Sequence, residues 1–179
     1  MTTTAIIGTA GRDKNMPMTL ALWNWMLADA ASLIAPGSHL VSGGAAWADH
    51  LAVALFLSGH ASALTLHLPA PFRNGRFVGP SSSAGSASNY YHQLFSQTIG
   101  HNTLADIAAV ETMPNVSGTF EPAAPGFAAM FARNKLVAKS DHMLAYTFGT
   151  GTVPADGGTT NTWNQCTGNR IHVPLPILR

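Results

Sequence analysis

The chain has 179 residues, of which 9% are charged, and a formal net charge of +1. This length suits a single domain, residues 1–179, with a full hydrophobic core. The low charge and the absence of a Lys/Arg cluster argue against a nucleic-acid partner, because binding to the phosphate backbone needs several basic contacts. The lone Cys166 excludes an internal disulfide and a multi-cysteine metal site.

The sparse charge also bears on partners and location. A surface with so few charged side chains is typical of a protein that covers part of it with another subunit, so we expect a homo-oligomer. The N-terminal segment MTTTAIIGTAGR lacks the basic start and long apolar core of a signal peptide. No apolar run reaches membrane-spanning length. We therefore expect a cytoplasmic protein with no membrane partner.

The first predicted elements are a strand, a glycine turn and a helix. The β-branched apolar run Thr4–Gly8 predicts a strand buried on both faces, and the turn Gly8–Arg12 follows it. Met16-Pro17 is typical of a helix start with proline at the first helical position. Trp23 and Trp25 lie on the apolar stripe of this helix. They could stack on a base, but core or subunit-interface packing is the usual role of such a stripe.

The second unit repeats this order. His39–Ser42 predicts a short strand, the turn Ser42–Gly44 follows, and a helix is expected from about Ala46 to Ser58. Asp49 lies in the first turn of this helix, where it could complement the helix dipole or face a ligand. A third strand is predicted at Ala63–Leu68, and the Pro69-Ala70-Pro71 segment ends it.

The regular alternation breaks after strand three, in an insertion at about 72–125. It divides into a Gly/Ser-rich mobile loop, one or two helices and a second loop, at Gly79–Ser88, Asn89–Val110 and Pro114–Pro125. A connection of this length is too long to be passive, so we expect a lid or an interface element. His92 and His101 lack the spacing of metal ligands and are expected to be exposed polar positions, and we predict no metal site.

The last third of the chain holds the segment around which the fold is organised. A helix is predicted at Phe127–Ser140, a strand at His142–Phe148, a helix at Gly157–Thr167 and a final strand at Arg170–Val173. The turn Asp156–Thr160 should open the second of these helices. Strand, glycine turn and helix start together form an anion site, because free N–H groups at the helix N-terminus point toward a phosphate or carboxylate. Strands alternating with helices predict a parallel α/β sheet.

Five sequence blocks in this order resemble the SLOG superfamily of Rossmann-like nucleotide-binding domains, related to the LOG phosphoribohydrolases and to DprA. They are GTAGR, SGGAAWADHLAV, LPAPF, FARNKLVAKSDHMLAYTFG and DGGTTNTW. The resemblance covers nearly the whole chain except the insertion. It implies a Rossmann-like parallel sheet of about five strands, with helices on both faces and a partly helical insertion after strand three. It also implies a nucleotide-type ligand at the C-terminal ends of the strands. We predict no cofactor.

The three glycine turns would offer N–H and hydroxyl donors to phosphates or ribose. Arg133 can bind a phosphate bidentately, and Asn134 would face the pocket beside it. Asp141 more often caps or orients a turn in such a position than touches ligand. The predicted ligand-binding residues are Gly8, Thr9, Ala10, Gly11, Arg12, Ser42, Gly43, Gly44, Asp49, Pro69, Arg133, Asn134, Phe148, Gly157, Gly158, Thr159 and Thr160.

The resemblance to LOG-type hydrolases is incomplete at one position. Those enzymes carry a glutamate soon after the Gly-Gly turn, whereas this chain has no Asp or Glu from Gly157 onward. Glycosidic cleavage needs a carboxylate to stabilise an oxocarbenium-like centre or to position water. This absence argues against catalysis, and we assign no catalytic residue. Asp49, Glu111 and Glu121 are the carboxylates that could substitute.

We therefore expect a protein that binds a nucleotide-derived small molecule, such as a cyclic nucleotide or an ADP-ribose-type signal. By resemblance, it would act as a sensor or sequestering protein in bacterial anti-phage defence or phage counter-defence. The first alternative is a LOG-like nucleoside-phosphate N-glycosidic hydrolase. A DprA-like binder of single-stranded DNA ranks third, because the charge disfavours it.

Overall fold

The computed structural model describes residues 2–122, 128–154 and 157–178. The strands within these ranges are β1 Thr3–Gly8, β2 His39–Ser42, β3 Ala63–His67, β4 Phe72–Arg73, β5 Arg76–Phe77, β6 Val116–Thr119, β7 His142–Thr147 and β8 Asn169–Pro174. The helices are α1 Leu20–Leu33, α2 His50–Leu57, α3 Ala84–Ile99, α4 Thr103–Glu111, α5 Ala128–Val137 and α6 Gly157–Gln165. A single 3₁₀ turn, Trp47–Asp49, precedes α2.

The central feature is a six-stranded parallel sheet in the order β6-β3-β2-β1-β7-β8. The chain builds from β1 through β2 and β3 to β6 on one side, then crosses to the other side of β1 to form β7 and β8. The strand order therefore reverses between β1 and β7. In open α/β sheets, ligands bind in the crevice beyond the carboxyl ends of the strands at such a reversal.

Helices cover the sheet on both faces, as predicted. Ile6, Leu40 and Leu64 face one apolar cluster, which they share with buried residues of α1 to α4. Their neighbours in the strands face a second and smaller cluster, which includes Val137 of α5 and Trp163 of α6. This alternation along short strands, with both faces buried, is the pattern of a parallel sheet, and the α/β fold class is confirmed.

The first helix begins later than predicted, at Leu20 instead of Met16-Pro17. The side chain of Thr19 accepts a hydrogen bond from the N–H of Leu22 at 3.1 Å, so this threonine is the N-cap. Trp23 and Met26 are buried in the chain's own core, which supports the packing interpretation of this apolar stripe.

The insertion is more regular than predicted. Helix α3 already begins at Ala84, where the Ser83 side chain caps it, so part of the expected Gly79–Ser88 loop is helical. The expected Pro114–Pro125 loop contains β6, which pairs with β3 and adds an edge strand beyond the five predicted. Strand β6 has the sequence VSGT, a weak strand pattern, and its pairing with β3 decides its conformation.

Three predicted features lie outside the described residues: the start of a helix at Phe127, the end of the second loop at Pro125, and Asp156 in the last glycine turn. None of the helices in the described ranges is long and apolar enough to cross a membrane.

Candidate ligand-binding site

A cavity of about 430 Å³ lies at the C-terminal ends of β1 and β2, between the turns that follow them and helices α5 and α6. Its volume falls in the range of roughly 300–1,000 Å³ that small-molecule sites occupy. It lies on the sheet edge that contains the reversal of strand order. Ten of the predicted residues line it: Gly8, Ala10, Arg12, Gly43, Asp49, Arg133, Asn134, Gly157, Gly158 and Thr159.

Arg133 of α5 lines this cavity, and its side chain is only 12% exposed. Its Nη1 donates to the carbonyl oxygen of Gly43 at 2.9 Å. Its Nε and Nη2 both donate to Oδ1 of Asn134, at 3.3 and 3.1 Å. A guanidinium has five N–H donors, so one N–H on each terminal nitrogen has no partner among the described residues. Arg133 thus has three hydrogen bonds to Gly43 and Asn134 and keeps donors for an oxyanion.

Asp49 is a buried residue of the cavity lining. One of its carboxylate oxygens is 4.0 Å from Nη1 of Arg133, and its side chain is 8% exposed. Burial raises the pKa of this carboxyl group, while the charge of Arg133 and backbone hydrogen bonds from Ala45, Gly43 and Gly8 act in the opposite direction. Of the two interpretations of Asp49, the structure places its side chain toward the cavity.

The N–H groups of the first two glycine turns have partners within the protein. Those of Gly8, Gly43 and Ala45 lie near enough to the Asp49 carboxyl group to act toward a lower pKa. The N–H of Gly44 donates to Oγ of Ser42 at 3.1 Å, and the Ser42 hydroxyl donates to the carbonyl oxygen of Asp49 at 2.8 Å. These turns are therefore already ordered by internal bonds. Their predicted donation to phosphate stays a prediction, since a ligand would have to replace one of those bonds.

Gly43 has a packing role that only glycine can fill. A Cβ atom there would lie 2.8 Å from both Nη1 of Arg133 and Oδ2 of Asp49. Gly158, in contrast, would have nothing within 4 Å of an added Cβ. The first two glycine turns are thus tightly packed, whereas the glycines that open α6 border empty space.

The open end of the cavity carries the other positive groups. Arg12 is exposed and lies over the ring of Tyr91 on α3, with its Cζ 5.2 Å from the ring centroid. The pKa of Arg133 is lowered, mainly by burial. The charge of Asp49 raises this pKa, and the charge of Arg12 lowers it further. Gly157 and Gly158 are the first residues of α6, and the first N–H groups of a helix have no partner inside the helix. Two arginines and a helix start thus favour an anion here.

Seven predicted residues do not line the cavity, and most of them have structural contacts instead. The Thr9 N–H donates to the carbonyl oxygen of Tyr146 at 2.8 Å. The hydroxyl of Thr160 donates to the carbonyl oxygen of Pro154 at 2.8 Å. Gly11 lies against the Trp47 indole in a separate shallow hollow. The others are Ser42 and Gly44, bonded within their turn, Pro69, which is buried, and Phe148, which packs on the larger apolar cluster.

Six lining residues were not predicted: Ile7, Ala45, Met130, Phe131, Val137 and Thr162. Helical spacing could have identified half of them. Met130, Arg133, Asn134 and Val137 are spaced as i, i+3, i+4 and i+7, which is one face of a helix. Thr162 follows Gly158 by four residues on α6 and so lies on the same face.

His92 is a further residue that sequence reasoning placed wrongly. It was expected to be exposed, but it is fully buried on α3. Its Nε2 lies 3.1 Å from the carbonyl oxygen of Gly44, and its Nδ1 lies 2.9 Å from the hydroxyl oxygen of Thr103. Because a carbonyl can only accept, Nε2 carries the proton and Nδ1 accepts from Thr103. A side chain of the insertion therefore donates a hydrogen bond to the glycine turn after β2.

The remaining carboxylates that were considered lie away from the cavity. Glu121 forms an exposed, two-bond pair with Arg73 at 2.6 and 2.8 Å, and Glu111 ends α4. Asp141 accepts from the N–H and hydroxyl of Thr3, which is the orienting role expected for it. No part of the insertion that the structure describes, residues 72–122, lines the cavity. Within the described ranges, no group of three or more His, Cys, Asp or Glu side chains could hold a metal ion.

Comparison with known proteins adds one relationship. No protein-family model matches the chain. An uncharacterized protein of Acanthamoeba polyphaga mimivirus is 36% identical over 185 aligned residues, which span 97% of this chain and 96% of the viral protein. Identity at this level over nearly the full length of both proteins means that the chain belongs to the same family as this mimivirus protein.

Proposed function

We propose that this protein binds a nucleotide-derived small molecule, with its phosphate at the open end of the cavity. One observation carries the proposal: Arg12, Arg133 and the start of α6 converge on one cavity at the point where the strand order reverses. Charge-assisted hydrogen bonds from arginine and a helix N-terminus are the usual means of holding phosphate. The apolar side chains of Ile7, Met130 and Val137 give the rest of the ligand a nonpolar surface.

The resemblance to the SLOG superfamily supports a proposal for the ligand and the biological role. The ligand would be a signalling nucleotide, cyclic or of the ADP-ribose type. The protein would sense or sequester it, in bacterial anti-phage defence or in phage counter-defence. Membership of a family with a viral protein fits sequestration of a host signal.

An N-glycosidic hydrolase is the second candidate, and one observation favours it. Asp49 is the carboxylate that the described residues bring into the cavity, and burial raises its pKa. A carboxyl group with a raised pKa can act as a general acid. The charge of Arg133, whose Nη1 lies 4.0 Å from Asp49, and nearby backbone N–H groups oppose this rise in pKa and so disfavour the protonated form that a general acid needs. We therefore rank binding without turnover first.

The test is to incubate the purified protein with AMP, cyclic mononucleotides, NAD and ADP-ribose, and to measure affinity by calorimetry. Mass spectrometry of the heat-released ligand then shows whether it is intact. We expect at least one member of the panel to bind and to be recovered unchanged. Free base or nicotinamide in the supernatant would establish the hydrolase instead. Absence of binding across the panel would reject both candidates.

A further inference from the structure

The Arg133 guanidinium is bonded to an amide side chain of its own helix. Its Nε and Nη2 both donate to Oδ1 of Asn134, at 3.3 and 3.1 Å. Asn134 is only 5% exposed, so neighbouring protein groups decide which way its amide faces. Because a guanidinium has only donors, the Asn134 oxygen must face Arg133 and its NH2 group must face away. The position of the guanidinium therefore depends on what accepts from that NH2 group.

Asn161 of α6 provides this acceptor. Nδ2 of Asn134 donates to Oδ1 of Asn161 at 3.2 Å, and Asn161 itself lies outside the cavity lining. The same oxygen accepts from Nε2 of Gln165 at 2.9 Å, and this nitrogen also donates to the Asn161 carbonyl oxygen at 3.0 Å. The Asn161 side chain is thus an acceptor for two donors. The side chains of Arg133, Asn134, Asn161 and Gln165 form a connected set of hydrogen bonds, the amide relay.

The amide relay connects the two helices that the proposed phosphate site uses. Arg133 belongs to α5, and Asn161 lies about one helical turn after Gly157, the first residue of α6. A side-chain bond between these helices therefore fixes how the guanidinium stands relative to the first N–H groups of α6. Such preorganisation favours binding, because less ordering is left to occur when one phosphate contacts both sets of donors.

Removal of the Asn161 side chain should cause a specific defect. Within the described ranges, Nδ2 of Asn134 has no other acceptor, so the amide could rotate. A rotated amide would place its NH2 group against the guanidinium, donor against donor. Arg133 would then lose two of its three hydrogen bonds and keep only the one to the Gly43 carbonyl oxygen.

We propose that Asn161 is a positioning residue, which acts through Asn134 to hold the Arg133 guanidinium in place for the phosphate of the ligand. Asn161 does not contact the ligand itself. The inference rests on the proposed function for the kind of ligand that Arg133 meets, whereas the hydrogen bonds that carry it lie within the protein.

The first measurement needs no ligand. Proton exchange at the Arg133 Nε–H group is followed by NMR, with the signal assigned by its loss in Arg133→Lys. Asn161→Ala should speed this exchange by about fivefold or more, since the Nε–H loses its acceptor. Asn161→Asp keeps a side-chain oxygen for Asn134 and should retain slow exchange. Equal exchange in the wild type and Asn161→Ala would overturn the inference.

The second measurement is a double-mutant cycle on the affinity for AMP, by calorimetry. Asn161→Ala should weaken binding by roughly three- to tenfold. In the Arg133→Ala background the same change should have no effect beyond about twofold, because the group that Asn161 positions is gone. Equal effects in both backgrounds would mean that Asn161 acts on the fold alone, which overturns the inference. Arg133→Lys serves as the background if Arg133→Ala binds too weakly to measure.

The matched control is Asn164→Ala, because Asn164 is an exposed asparagine of the same helix and lies outside the cavity lining. It should leave both the exchange and the affinity as in the wild type. Alanine is the better helix former, so Asn161→Ala should fold. If it does not, Asn161→Ser replaces it, since the shorter hydroxyl cannot reach the Asn134 amide.

The outcomes separate the two proposals. If the wild type binds neither AMP nor any other nucleotide of the panel, the proposed function fails, and the exchange measurement alone decides whether Asn161 positions Arg133. If AMP binds and Asn161→Ala leaves its affinity unchanged, the inference about Asn161 is rejected while the proposed function stands.

Discussion

Nε2 of His92 lies 3.1 Å from the carbonyl oxygen of Gly44, so a side chain on α3 holds the glycine turn that follows β2. The two residues are 48 positions apart in the sequence. The same turn carries Gly43, whose carbonyl oxygen accepts from Arg133. A contact made deep in the insertion therefore helps to fix the position of the arginine that faces the cavity.

Removing this contact should weaken ligand binding as well as stability. His92→Leu leaves the Gly44 carbonyl buried without a donor, which costs about 1–3 kcal/mol of unfolding free energy. His92→Gln can still present an N–H near the position of Nε2, so it should recover much of the affinity for AMP. Calorimetry and chemical denaturation measure the two effects.

Phe95→Leu is the control for His92, because Phe95 is buried on the same helix and packs on Trp23 and Trp47. It should lower stability while leaving AMP affinity close to wild type. If His92→Leu and Phe95→Leu reduce affinity equally, the His92 contact has no specific role in positioning the turn.

The same histidine should make stability depend on pH. Burial, with a further contribution from His50, lowers the pKa of His92 from 6.5 to about 3, while Gly44 and Asp106 act in the opposite direction. Between these values the unfolded chain binds a proton that the folded chain does not, so stability falls as pH drops from 6.5 toward 3. The slope from this one group approaches about 1.4 kcal/mol per pH unit. The free energy of unfolding of the wild type should therefore fall more steeply on acidification than that of His92→Gln, and the same pH dependence in both proteins would contradict this.

Arg133 should carry much of the affinity for phosphate. A charge-assisted contact contributes about 1.5–3 kcal/mol, so Arg133→Ala should weaken AMP binding by roughly ten- to a hundredfold. Arg133→Lys should not restore it, because an ammonium cannot reproduce the planar fork that bonds Gly43 and Asn134. Lys135→Ala, at an exposed position of α5, is the control. Wild-type affinity of Arg133→Ala at low salt would place the phosphate elsewhere.

Two glycines should respond to substitution in opposite ways. Gly43→Ala brings a Cβ to 2.8 Å from Arg133 and Asp49 and should destabilise the fold, by about 1–3 kcal/mol if the site behaves as an overpacked core. A Cβ added at Gly158 meets no atom within 4 Å, so Gly158→Val should leave the melting temperature unchanged or slightly higher, since valine is the better helix former. Its side chain would still enter the cavity and block AMP. Unchanged AMP affinity in Gly158→Val would show that ligand does not approach the start of α6.

The homo-oligomer prediction stands on a narrower basis than the sequence indicated. Trp23 and Met26 are buried in the core, so the large exposed apolar side chains of α1 are those of Leu20 and Leu33. The sparse surface charge still favours a partner copy. Light scattering at micromolar concentration should therefore give a mass above that of one chain. A strict monomer would remove this prediction.

Local sequence patterns determined the order of elements and much of the cavity. The apolar runs at Thr4–Gly8, His39–Ser42 and His142–Phe148 each end where a strand ends within one residue. Parallel strands bring their carboxyl ends to one edge, so the turns after β1 and β2 and the start of α6 meet there. Arg133 was predicted from the sequence block FARNK in which it lies, not from periodicity.

Tertiary structure decided what these local signals do not encode. Strand β6 forms because β3 offers it a partner, not because VSGT prefers an extended conformation. His92 is buried because the fold brings Gly44 and Thr103 to it, whereas its sequence neighbourhood suggests a polar surface. The N–H of Gly44, in the turn after β2, donates to the Ser42 hydroxyl instead of to solvent. Propensity and periodicity report on neighbours along the chain, but a buried polar group must find its hydrogen-bond partner in space, and only the packed fold determines which partner that is.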